Sequence, residues 1–162
     1  MKLQYASDLH LEFHDNSRWL KENSLHPVGD VLVLAGDIGY LGDDMYSRHP
    51  FWNWCADNFQ HTFVIPGNHE LYKSFDINAL HEGWSLGIRS NVTAIYNKVI
   101  ALDEDTDLIA STLWSNIPIA EAYFVEHGVT DFRRIHNGEY NLSWNRFNEE
   151  HKRCVEFIRR SV

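Results

Sequence analysis

With 162 residues, 44% of them hydrophobic and 23% charged, the chain has the size and composition of one folded domain, which excludes a disordered polymer. A formal net charge of −9 excludes a general nucleic-acid or anionic-membrane surface, although one local cleft can still draw an anion. No apolar run approaches the ~20 residues of a membrane span. The opening MKLQYASDLH shows no signal-peptide pattern, and Cys55 and Cys154 lie outside any CxxC spacing, so the expectation is a cytoplasmic protein with reduced core thiols.

In chain order, Leu3 to Ser7 reads as a short buried strand. Asp15-Asn16-Ser17 offers caps for a helix carrying Trp19 and Leu20. Val31 to Ala35, VLVLA, is apolar throughout and suits a strand covered on both faces of a parallel sheet. Ser47 can cap a helix with Phe51, Trp52, Cys55 and Phe59, and Thr62 to Ile65 is the third strand. Asp76 to Ile88 is predicted helical, weakened by Gly83 and Gly87. Val92 to Tyr96, Lys98 to Leu102 and Asp107 to Thr112 read as a meander of strands, giving a mixed sheet or a second sheet. Residues 115–135 are less periodic and partly helical. Ser143 to Ser161 is an amphipathic helix capped by Ser143, with Phe147, Cys154, Val155, Ile158 and Val162 as its apolar stripe. Trp19 and Trp114 read as core or rim packing, and His127, His136 and His151 as surface or packing histidines.

Each early strand runs into ligand-type residues: Asp8-Leu9-His10, then Gly36-Asp37, then Gly67-Asn68-His69-Glu70. Parallel strands share a carboxyl edge, and residues just beyond it line one crevice. This predicts Asp8, His10, Asp37, Asn68 and His69 around a common space. If the backbone stays extended, Asp8 and His10 emerge on the same side. Pro66-Gly67 supplies the turn that carries Asn68 and His69 over the edge. Oxygen and imidazole donors without thiolates suit Mn²⁺, Fe²⁺ or Zn²⁺ rather than a closed structural zinc site.

SDLHLEF, LAGDIG and PGNHELY resemble the opening motifs of the calcineurin-like metallophosphoesterases, and STLWSN with DFRRI resembles a bacterial branch of that family. The resemblance implies an α/β fold, the N-terminal portion of an αββα sandwich that begins βαβαβ and continues into a strand meander and a C-terminal helix. It implies a dinuclear, metal-dependent phosphoesterase whose metal-bound hydroxide attacks phosphorus, acting on a small phosphate ester. By the same resemblance Asp8 and His10 bind the first divalent ion and Asp37 bridges both ions. Asn68 binds the second and contacts the phosphate, and His69 donates a proton to the leaving group. Glu70 either orients that imidazole or is a solvated turn carboxylate. Arg133 and Arg134 are candidates to hold a substrate anion at the crevice rim, with Arg133 the expected substrate-binding residue.

The departures are as informative. Tyr40 stands where the protein serine/threonine phosphatases carry the second Asp of G-D-x-x-D-R-G, which argues against that branch. The family's later His and G-H-x-H are absent, and a helix that would normally lead to another strand comes last. The expectation is one domain over residues 1–162, incomplete on its C-terminal side, with an exposed face that favours self-association. A catalytically silent module for interaction or weak metal binding is the alternative. Gly36, Gly39 and Gly42 follow a strand but are spaced G-x-x-G-x-x-G, unlike a dinucleotide loop. Lys73 occupies the second His position of H-E-x-x-H, which excludes a zinc protease.

Overall fold

The computed structural model describes residues 1–162. Five strands form one mixed sheet: β1 (Leu3–Ala6), β2 (Val31–Ala35), β3 (His61–Ile65), β4 (Trp84–Arg89) and β5 (Val92–Tyr96). Their order is β1-β2-β3-β5-β4; the first four in that order run parallel, and β4 closes the edge antiparallel to β5. Two crossover helices, α1 (His14–Glu22) and α2 (Phe51–Asn58), lie on one face. There Leu32, Leu34, Val64 and Ala94 pack with Leu20 and Trp52 in one apolar cluster.

The strand period of two sends the alternate residues to the opposite face, where Tyr5, Val33 and Phe63 stand in register. At its β1 edge this face is open: Leu3 is 50% and Tyr5 80% exposed. The first strand is therefore not the buried strand expected. Apolar content alone predicts burial here, whereas the position of β1 at the sheet edge leaves its outer side chains exposed.

Asp76 to Ile88 is not a helix. It is a short 3₁₀ turn, Ile77–Ala79, followed by β4. Trp84, Leu86 and Ile88 alternate with small or polar residues, a period-two signal. Gly83, at φ +80°, turns the chain into the strand. β6 (Lys98–Ala101) and β7 (Asp107–Ala110) form a separate two-stranded sheet, so the meander splits between two sheets.

The remaining elements are α3 (Ala122–Gly128), α4 (Asp131–Arg134), the hairpin β8 (His136–Asn137) and β9 (Tyr140–Asn141), and α5 (Trp144–Ser161). The three helices contribute Ala122, Phe132 and Phe147 to a second apolar cluster, which they share with Leu71, Tyr96 and Trp114. Trp114 belongs to this core, while Trp19 is exposed. Ser143 caps α5 as expected, its hydroxyl accepting from Arg146 N at 3.3 Å. The buried face of α5 is rotated from the expected stripe, however. Phe147, Glu150, Cys154 and Phe157 are buried, and Val162 is exposed. Glu150 is tolerated there because Arg146, Arg153 and the Tyr96 hydroxyl all donate to its carboxylate. Both cysteines are free and buried.

Two expected helix caps do other work. α1 begins at His14 without a side-chain cap, and α2 begins at Phe51 after Pro50 rather than being capped by Ser47. Asn16 instead donates to the carbonyls of Leu9 and His10, and Ser17 to that of Leu11. The start of α1 thus braces the loop after β1.

Candidate active site

The loops after β1, β2 and β3 meet at the carboxyl edge of the sheet. The first two stay zipped beyond their strands: Asp8 N donates to Gly36 O at 3.0 Å and His10 N to Asp37 O at 2.9 Å. Their backbone is not extended, contrary to the expectation for Asp8-x-His10. Asp8, His10 and Asp37 have φ of +57°, +47° and +57°, the left-handed region. Non-glycine residues there cost about 1–3 kcal/mol each and persist where the surroundings impose them. One donor atom from each of these three side chains falls within 4.8 Å of the others.

A stability test follows. Asp8→Gly relieves the left-handed strain at an exposed position, so it raises the stability of the metal-free chain by about 1 kcal/mol, or about 2–4 °C in Tm, while weakening cation binding. Thermal denaturation beside a Mn²⁺ titration checks both halves. A less stable variant contradicts the strain account.

The third loop lies against the second. A Cβ on Gly67 would sit 2.2 Å from Asp37 Oδ1, so only glycine lets the turns approach this closely. His69 N donates to the same Asp37 oxygen at 3.0 Å, and the His10 and His69 rings meet edge-on with centroids 4.4 Å apart. Asn68 Nδ2 donates to Asp131 Oδ1 at 2.8 Å and to the Tyr72 hydroxyl at 3.3 Å. The amide nitrogen is thereby committed, and Oδ1 is left as the ligand-type atom. Tyr72 itself donates to Asp131 at 2.5 Å. Burial first, then the Asp131 carboxylate, pushes its hydroxyl pKa well up.

Glu70 plays neither expected role. It is fully buried, and its carboxylate accepts four backbone N–H groups: Gly67 at 2.8 Å, Asp37 at 2.9 Å, Ile38 at 2.7 Å and Gly39 at 3.2 Å. It ties the turn after β3 to the turn after β2 and makes no hydrogen bond to the His69 imidazole, which bonds Glu12 instead. Burial pushes its carboxyl up to about 7; the N–H groups of Ile38 and Gly67 oppose that shift, and the Asp37 carboxylate adds to it.

The side chain beside the His69 imidazole is Glu12. Its Oε1 lies 2.8 Å from His69 Nδ1 and 3.2 Å from His10 Nδ1, with the carboxylate almost fully buried. Sequence reading passed over it, although Asp8, His10 and Glu12 repeat at every second position in SDLHLEF. Arg133 is exposed on α4. Its neighbour Arg134 lies over the Tyr72 ring at 4.4 Å and the Tyr40 ring at 5.5 Å. His127, His136 and His151 stay outside the cluster; His127 and His151 each bond a local or packing carbonyl.

The chemistry of the donor set fits a divalent cation. Two carboxylates and an imidazole converge, an amide oxygen is freed nearby, and the approach of the loops depends on a glycine that a side chain would spoil.

The chain is 29% identical over 147 residues to an uncharacterized protein of Acanthamoeba polyphaga mimivirus, a match covering 82% of this chain and 51% of that protein. It thus spans about half the length of that curated relative. The fold also resembles a phosphopantetheinyl hydrolase from Mycobacterium tuberculosis, with a TM-score of 0.54 and 18% identity over 99% of this chain and 61% of the other. At that identity the likeness is one of fold. No helix is long and apolar enough to cross a membrane. The family model described as calcineurin-like phosphoesterase matches residues 1–160, and by that match the chain belongs to the calcineurin-like phosphoesterase family.

Proposed function

We propose that this crevice hydrolyses a phosphate ester of a small molecule with the help of two divalent cations. Asp8 and His10 would hold the first, Asp37 would bridge, and Asn68 would hold the second through its amide oxygen. The observation that carries this reading is the convergence of the Asp8, His10 and Asp37 donor atoms within 4.8 Å at the ends of two parallel strands. When bound, such cations act as Lewis acids toward the phosphoryl oxygens and bring the pKa of a water from ~15.7 toward ~7.

The chain's own residues supply the rest. His69 Nδ1 is engaged by Glu12, which leaves Nε2 to take up a proton, and the imidazolium so formed would donate it to the leaving-group oxygen. The His69 N–H fixes one Asp37 oxygen, and Asp131 fixes the face of the Asn68 amide. Arg133 and Arg134 are the candidates for the substrate's anionic group. Arg134, stacked on Tyr72, has the stronger support, since Tyr72 and Asn68 share the Asp131 oxygen.

The test strips the chain with chelator and adds Mn²⁺, Fe²⁺ or Zn²⁺ in the presence of aryl phosphate monoesters and diesters. Cation-dependent hydrolysis is expected. No turnover with any cation would leave a silent binding module. We also propose self-association through the open sheet face at Leu3 and Tyr5. Light scattering checks it, and a monomer at every concentration rejects it.

A further inference from the structure

We infer that Glu12 is the positioning residue of the site and holds His10 and His69 in the same tautomer through one carboxylate oxygen. The inference rests on the cation-dependent reading above and specifies how two imidazoles of unlike duty are prepared for it.

The geometry leaves little choice of proton placement. A carboxylate only accepts, and a neutral imidazole has one N–H and one lone pair. Both Nδ1 atoms face the same Glu12 oxygen, at 2.8 Å for His69 and 3.2 Å for His10. Both must therefore carry the proton on Nδ1. For His10 this exposes the Nε2 lone pair, the form a cation requires. For His69 it leaves the Nε2 lone pair, on the ring edge away from the buried carboxylate, free to take up the proton that the imidazolium then donates. Glu12 has no competing partner: its side chain is 5% exposed and its second oxygen, Oε2, is buried without a hydrogen bond. The carboxylate is also held in place. Asn16 and Ser17 at the start of α1 bond the carbonyls of Leu9, His10 and Leu11, fixing the backbone immediately before it. Glu12 thus couples the first strand end to the third across 57 residues of sequence.

The decisive measurement is the tautomeric state in metal-free protein, read from long-range ¹H–¹⁵N spectra at mildly alkaline pH with His10 and His69 assigned by single replacement. Both rings are expected with a protonated Nδ1 and an unprotonated Nε2. In Glu12→Ala both relax toward a mixture of tautomers, and Mn²⁺ affinity by calorimetry falls about ten- to hundred-fold. Glu12→Gln, whose amide oxygen still accepts, recovers part of that affinity. Finding either ring as the Nε2–H tautomer in the unaltered protein overturns the inference. So does a Glu12→Ala variant whose tautomers and Mn²⁺ affinity are unchanged. The spectra of the unaltered protein decide the matter even if a variant fails to fold. If both rings read as expected and no phosphate ester is hydrolysed, the positioning role stands and the functional proposal falls.

Discussion

Asp37→Asn is expected to lower cation-dependent phosphoester hydrolysis by about 10³-fold or more. Asparagine tolerates the left-handed backbone at φ +57° and keeps an oxygen for the His69 N–H, so the loop survives. What is lost is the negative charge that would be shared by two cations. Several kcal/mol of charge stabilisation goes with it, and each ~1.4 kcal/mol is tenfold in rate. Steady-state kinetics at saturating Mn²⁺, with circular dichroism as a folding control, measure the loss. A variant within tenfold of the parent would show that Asp37 does not bridge.

The second large effect is on stability. Glu70→Ala removes the acceptor for four backbone N–H groups, two of which belong to the buried Ile38 and to Gly39. The expected destabilisation is about 3–5 kcal/mol, or roughly 6–20 °C in Tm, a large share of a domain's total. pH gives an independent reading. The folded carboxyl is raised from an ordinary 4.5 to about 7. The folded state therefore binds the proton more tightly than the unfolded chain. Its stabilising contribution is full below 4.5 and is lost as pH rises through about 7, by on the order of 3 kcal/mol. Denaturant midpoints of the metal-free chain should fall over that window, and Glu70→Gln should flatten the fall. A parent protein whose stability climbs across the same interval would mean that the four donors, not burial, govern this carboxylate.

Legibility in the sequence tracked how local the cause was. VLVLA reads as a central strand because every residue is apolar, and the structure buries its first four residues. The three strand ends could be gathered in advance because parallel neighbours share a carboxyl edge, a rule of topology that needs no side-chain detail. Asp76 to Ile88 resembles a helix only if it is continued through Gly83; Trp84, Leu86 and Ile88 alternate with Ser85 and Gly87, the period of two that the strand uses. The α5 stripe was misplaced because a carboxylate was not admitted to a buried face. Glu150 sits there only because two arginines and a tyrosine compensate it.

Glu12 and Glu70 mark the boundary most clearly. By itself the sequence determined a βαβαβ opening and the donor types at its strand ends, because strand period and turn chemistry act over a few residues. Only the tertiary structure decided which carboxylate meets which partner. Glu70 finds N–H groups more than thirty residues away, and Glu12 finds the imidazole of His69. A buried acid accepts whatever donors the packed loops bring within 3 Å, and that juxtaposition exists only once β1, β2 and β3 lie side by side.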